Sequence, residues 1–321
     1  MSTARVVAGR LAAGLVSAWI IVTLAFVLLH AAPGDPSRMA EDPHLNAADR
    51  ARLREAYGLD RPLGEQYLAF LGNVARGELG VSLRYARPVS RVLAGAIGPT
   101  LVLMLPALGL AFALGLALGT RAAVRPGGIA DALVRRALPA LDALPPFWLG
   151  LLAIWFFAGR LGWLPSSAMT SAGGGGTGDL LRHLLLPVLT IALPGAAPVA
   201  RHHAEAMRRE LAAPHVRAAR AMGLAEPRVI FGRAARAALH PAIALLGLSL
   251  PALAGGAAVV EVVFGWPGLG RIQQEALLAR DVPLALGGLL LVALLVVAGG
   301  ILTELLSARV DPRWRAAERS A

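Results

Sequence analysis

Six stretches of apolar side chains are separated by polar or proline- and glycine-rich segments: Leu11 to Leu29, Thr100 to Thr120, Ala137 to Gly159, Leu184 to Ala200, Leu239 to Val263 and Leu284 to Leu306. Each is close to the roughly 20 residues a helix needs to cross a hydrocarbon layer about 30 Å thick. The pattern predicts an all-α polytopic membrane protein of about six transmembrane helices. The fourth run is short and carries Pro187, Pro194 and Pro198, so the pattern sets its ends least sharply, although a bundle tolerates such breaks where neighbouring helices take up the freed carbonyls. The first run follows Arg5 and Arg10 as a signal peptide would. It is longer than the usual apolar region of about 7 to 15 residues, and is read as a retained helix.

The polar interruptions divide the chain. Residues 1–31 form an N-terminal segment and first membrane helix, 32–98 an extracytoplasmic insertion, 99–308 a five-helix core with a loop at 201–239, and 309–321 a tail. The insertion has balanced charge, aromatic residues at Tyr57, Tyr67 and Phe70, and helical spacing around Leu53, Tyr57, Tyr67 and Leu71. That composition predicts a small folded cap rather than a linker. The glycine-rich "SAGGGGTGD" near Gly173 lacks the strand and helix that would flank a phosphate-binding loop, and is read as an outer loop.

Orientation follows from arginine. Of the 31 basic residues, all of them Arg, 18 fall in the segments that face inward if the N-terminus is cytoplasmic. Only Arg160, Arg182, Arg271 and Arg280 lie in the two short outer loops, and nine lie in the long insertion, where the positive-inside bias is weak. Both termini are therefore expected in the cytoplasm of a multi-pass inner-membrane protein. With 56% hydrophobic residues, 16% charged residues and a mean hydropathy of +0.62, the chain is too apolar for an ordinary soluble domain. The net charge of +11 is then accounted for by topology and anionic membrane lipid, with no need for nucleic acid. The absence of Lys excludes a Walker A loop and a Schiff base in this chain. The absence of Cys excludes thiolate metal sites and disulfides.

The loop at 201–239 is where chemistry concentrates. Pro214 suits the first turn of a helix and Gly223 the position just past its end, so two helices joined by a turn are expected. A helix from Pro214 to Met222 would bring Val216, Ala219 and Met222 to one face and Arg217 and Arg220 to another. Two readings fit: a surface helix extending its arginines into lipid headgroups, or a compact knob, ending at Gly223-Leu224, that enters a partner's groove. In "FGWPGLGRI", the glycines and Pro267 permit a tight turn, and Phe264 and Trp266 suit either an aromatic belt at the membrane surface or a loop facing the transport path, with Glu261 beside it. Gly268 belongs to the same turn. Asp142, inside the third run, fits either a pathway carboxylate or a pair with Arg135 or Arg136. His202 and His203 are adjacent and point about 100° apart on a helix, so they make no chelating pair. A secondary transporter would usually carry more charged residues at depth and an internal repeat, and an intramembrane enzyme would need a nucleophile and base or metal ligands there. Neither pattern is present.

The stretch "VRAARAMGL" is similar to the cytoplasmic loop motif of ABC transporter permeases, in the form typical of the dipeptide and oligopeptide type (DppB/OppB). Arg217 stands where the general motif has Glu, followed by Ala218, Ala219 and Gly223. "HAAPGDP", "YGLDRPLGEQY", "GELGVSLRYARPV", "EVVFGWPGLGRIQQEALLARDVPL" and "DPRW" resemble the same family in the same order, over nearly the whole chain. Departures are His240 before Pro241 in place of an aliphatic residue, Glu304 where Asp is common, and Arg217 itself. The resemblance implies a type I ABC importer permease fold and a transport subunit rather than an enzyme. It implies no cofactor on this chain, with ATP and Mg held by two separate ATPase subunits, and, as further partners, a second, non-identical permease and an extracytoplasmic solute-binding protein. It also implies that Val216, Arg217, Ala218, Ala219, Arg220, Met222, Gly223 and Leu224 form the ATPase coupling site, and that Glu261, Phe264, Trp266, Pro267 and Gly268 border the translocation path or form the outer loop; Asp142 joins the path candidates on its position in the third run alone. Relatives in the family carry dipeptides, longer peptides, glutathione, and nickel or other metal chelates.

Overall fold

A computed structural model describes residues 3–31, 61–249 and 258–310. The described chain is helical apart from a two-stranded antiparallel ribbon. In order, the elements are α1 (Thr3–Ala31), α2 (Leu63–Ala75), β1 (Val81–Ser82), β2 (Arg87–Pro88), α3 (Val89–Val124), α4 (Ile129–Asp142), α5 (Pro146–Arg160), α6 (Thr177–Leu211), α7 (Pro214–Ala221), α8 (Glu226–Ala237), α9 (His240–Ser249), α10 (Ala258–Val263), α11 (Leu269–Leu278) and α12 (Val282–Val310).

Four of these helices are long and apolar enough to cross a membrane, and six spans result if each of two bent pairs counts as one. The third predicted run is one such pair: α4 and α5 meet at 97°. The break falls at Pro145 and Pro146, where the missing N–H groups and the restricted residue before each proline end α4. α8 and α9 meet at 49° just before Pro241. The two ends of the fifth run are α9 and α10; the residues between them lie outside the described set, as do Leu53 and Tyr57 of the insertion, the 311–321 tail and the side chain of Glu304.

The centre of the bundle is the parallel pair α3 and α6. Small residues allow it: a Cβ at Gly115 would come within 2.6 Å of Val199, and one at Gly119 within 2.7 Å of the Ala200 carbonyl. The four-residue spacing of these glycines is the close-approach motif of membrane helices, where small side chains let backbones touch. α6 is the most enclosed of the four long apolar helices, with 61% of its apolar window buried against 17–39% in the others. The fourth predicted run was therefore too short. α6 continues through Pro187, Pro194 and Pro198 to Leu211, and α3 begins at Val89, ahead of the expected core boundary at residue 99. At about 1.5 Å per residue both helices exceed the bilayer and reach beyond it at the end that carries α7 and α8.

At the opposite end the described part of the insertion, from residue 61, packs against the bundle. The Tyr67 hydroxyl of α2 lies 2.6 Å from Thr23 Oγ1 of α1, and Phe26 packs between Tyr67 and Phe70, with ring centroids at 5.3 and 6.2 Å. α1 in turn pairs with α12, where Gly14 leaves just the room that Val297 fills.

Candidate coupling site and outer turn

α7 is a two-turn helix started by Pro214 and stopped by Gly223, whose φ of +78° is the left-handed conformation that glycine adopts without strain. Its end is a complete Schellman closure: Gly223 N–H donates to the Arg220 carbonyl (2.9 Å) and Leu224 N–H to that of Ala219 (3.2 Å). Beneath the helix, Val216 and Ala219 are fully buried and pack with Ala123, Met207, Val229 and Ala234, while Leu224 closes the edge of this cluster. Three elements, α3, α6 and α8, thus hold a helix too short to persist alone.

The other side of α7 is free. Arg217, Ala218, Ala221 and Gly223 are exposed. Met222 departs from expectation: it is the last cap residue, 67% exposed, and turned away from the face that Val216 and Ala219 bury. The helix stops at Ala221, so the Val216, Ala219, Met222 register is broken by the non-helical turn at its third member. Arg220 is exposed and clamps the following segment, with Nε donating to Glu226 Oε1 at 2.8 Å. The resulting surface is small, apolar at Ala218 and Met222, and basic at Arg217.

Two groups fix this module to the bundle: Asp131, which the sequence pattern does not single out, and His203, which it singles out only as forming no chelating pair with His202. Asp131 accepts from Gly127 N–H (2.9 Å), Arg135 Nε (2.9 Å) and Arg208 Nη2 (2.7 Å), tying α4 to α6. His203 is buried, with Nδ1 3.2 Å from the Ala238 carbonyl and Nε2 3.0 Å from Thr120 Oγ1. A carbonyl can only accept, so Nδ1 carries the proton and Nε2 accepts from the hydroxyl, and His203 links α6 to both α3 and the end of α8. Asp142, in contrast, is exposed in the α4–α5 break and forms no ion pair among the described residues. The expected pair with Arg135 or Arg136 is not made, because Arg135 is taken by Asp131.

The "FGWPGLGRI" turn is interior structure. Phe264 and Trp266 are buried, which corrects the aromatic-belt reading: Trp266 packs on Leu103, Ala107, Leu184 and Val188 and donates its indole N–H to the Pro99 carbonyl at 2.8 Å. Glu261 is fully buried. Its Oε1 accepts from Thr100 Oγ1 (2.8 Å) and its Oε2 from Arg271 N–H (2.9 Å), while Thr100 Oγ1 accepts from Leu269 N–H (2.7 Å). A methyl group at Gly268 would overlap the Glu261 carboxylate, and one at Gly270 would overlap Ala258. The glycines of the turn are there for space. Gly265 alone, at φ +61°, is there for backbone conformation. Pro267 stays exposed.

A second lock joins this region to the insertion. Asp281 caps α12 through Leu284 N–H (3.2 Å) and also receives Ser82 Oγ–H (2.5 Å) and Arg84 N–H (3.0 Å) from the ribbon. Glu275 receives the Tyr85 hydroxyl (2.8 Å), Arg271 Nε (3.0 Å) and Arg84 Nε (3.2 Å). Burial opposes its charge, but the hydrogen bonds from Tyr85 and Arg271 and the charges of Arg84 and Arg271 overrule it, so the carboxyl sits below the usual Glu value. For Tyr85, burial, then the hydrogen bond to Glu275 and its negative charge, push the phenol up. The sequence signal for Asp281 was present: an Asp followed by Val-Pro at the head of an apolar run is a helix start.

A bundle of long apolar helices, with the short anchored helix α7 exposed at one end and the ribbon tied to α11 and α12 at the other, defines a polytopic membrane protein. The chain belongs to the family described as binding-protein-dependent transport system inner membrane component, which matches residues 115–316, with the N-terminal module of the same systems matching residues 3–89. Among similar proteins are the oligopeptide transport system permease protein AppB of Bacillus subtilis (37% identical, 91% of this chain and 93% of that protein) and the di/tripeptide transport system permease protein DppB of Pseudomonas aeruginosa (35%, 92% and 94%). The glutathione transport system permease protein GsiC of Escherichia coli K12 is 33% identical over 92% of this chain and 94% of its own length.

Proposed function

We infer that this chain is the inner-membrane permease subunit of an ATP-driven ABC importer, that it passes peptides or a related small solute, and that α7 is where an ATPase subunit takes hold. Family membership carries the importer reading, and the names of relatives at 33–37% identity carry the cargo class. The observation that supports the coupling role is the two-sidedness of α7: Val216 and Ala219 are wholly buried while Arg217, Ala218 and Met222 stand free. A force applied to the free face passes through that packed cluster into α6 and α3. ATP and Mg belong to the ATPases, an extracytoplasmic binding protein delivers the solute, and both termini lie in the cytoplasm, as the arginine distribution requires.

The absence of Cys makes the test direct. A photoreactive maleimide attached at Ala218→Cys in the assembled complex is expected to cross-link to an ATPase subunit on illumination, and the same label at Gly174→Cys in the outer loop is not. Cross-linking of Ala218→Cys only to lipid would overturn the coupling role.

A further inference from the structure

At the outer end, the ribbon, the start of α3, the glycine-rich turn and α11 border a half-open pocket of about 590 Å³ lined by Tyr85, Arg87, Arg91, Val92, Pro267 and Ile272. That volume lies within the range of about 300–1,000 Å³ typical of small-ligand sites. Its charge is one-sided. Arg87 and Arg91 line it, and among the described residues they form no ion pair and no acid lines the pocket. The nearby Glu275 does not neutralise them, because its oxygens are taken by Tyr85, Arg84 and Arg271. Since the Tyr85 hydroxyl is spent on Glu275, that side chain offers the cavity its ring. Val92, Pro267 and Ile272 supply the remaining apolar wall.

We propose that this cavity is a binding subsite for the carboxylate of a small organic acid with a short apolar portion, such as the C-terminal end of a short peptide. The carboxylate pairs with the two guanidinium groups, for which planar two-point hydrogen bonding is the favoured geometry. The apolar portion lies against Val92 and Ile272. A bare inorganic anion would leave most of the volume and its apolar wall unused, and an uncharged solute would leave the arginines unpaired. The proposal rests on the importer reading for why such a solute reaches the outer face, but binding requires no ATP. Its failure would leave the cross-linking result at Ala218 standing, and failure of that result would leave this measurement interpretable.

The test uses the complete complex in nanodiscs of zwitterionic lipid, without nucleotide or binding protein, with N-acetyl-alanyl-phenylalanine and its C-terminal amide as probes in equilibrium dialysis. The acid is expected to bind saturably and the amide about tenfold or more weakly, the ratio set by loss of one charge-assisted contact. The double variant Arg87→Gln/Arg91→Gln should lose that preference, Arg87→Lys/Arg91→Lys should keep part of it, and Arg160→Gln on the outer side should leave it intact. Equal binding of acid and amide, no binding of either up to millimolar concentration, or acid preference surviving in the double Gln variant would each overturn the proposal. Displacement of the acid when phosphatidylglycerol is added would overturn it as well, assigning the site to a lipid headgroup.

Discussion

Two glycines illustrate opposite uses of the missing side chain. Gly223 has open space around it and a φ of +78°, so only backbone conformation demands it. Gly268 has an extended backbone, but a Cβ there would strike the Glu261 carboxylate. Gly223→Val should therefore cost about 1–2 kcal/mol at the end of α7, loosen the Leu224 closure, and reduce binding-protein-stimulated ATP hydrolysis and uptake in reconstituted complex. Normal values for both would exclude α7 as the coupling element. Gly268→Ala should act elsewhere, breaking the Glu261 contacts to Thr100 and Arg271 N–H and lowering the unfolding temperature of the complex, while the α7 cross-link persists. The need for Gly223 was readable from its place after a proline-started helix. That for Gly268 was not, because its neighbour Glu261 is seven residues away and meets it only through a fold of the chain. Met222 was misread for a related reason: helical periodicity says nothing about where a helix stops being helical.

Elements are joined at the end of the bundle away from α7 by acids whose partners lie far along the chain, Asp281 with Ser82 and Arg84, and Glu275 with Arg84 and Tyr85. Sequence patterns report spans, caps and turns, which are local; they do not report pairs nearly 200 positions apart, so they do not show where the described part of the insertion attaches. Asp281→Ala removes the α12 cap, worth about 1 kcal/mol, and leaves the buried Ser82 hydroxyl without its acceptor. It should make the insertion more sensitive to protease added outside, and unchanged proteolysis would show that the ribbon is held by other contacts. Glu275 gives this junction a pH dependence. Its folded pKa is depressed, so its stabilisation is complete above the ordinary Glu value of 4.5 and is lost as pH falls below that through the folded value. Protection of the insertion should thus be flat near neutrality and decline in acid, and Glu275→Gln should remove the decline. A Cys label reaches the same elements from each side of the membrane: Gly174→Cys should react with an impermeant reagent from outside, and Ala212→Cys only after the membrane is opened. Labelling of Ala212→Cys in sealed cells would reverse the orientation.

For the molecule as a whole, the apolar spans and the short helix from Pro214 closed at Gly223 were legible because both follow from composition and turn residues at fixed spacing, while the 97° break between α4 and α5 was marked only by Pro145-Pro146. On the proposed coupling role, the described chain offers one docking helix, α7, and an importer driven by two ATPases would need two. We propose that a second membrane subunit supplies the other, either another copy of this chain or a different permease. Both satisfy the geometry, and the resemblance to peptide permeases favours the different one. Co-expression of this chain with the ATPases alone is then expected to give no transport-competent complex, and addition of the second permease to restore uptake, with one copy of each membrane subunit by native mass measurement. A stable, active assembly holding two copies of this chain would rule the heterodimer out.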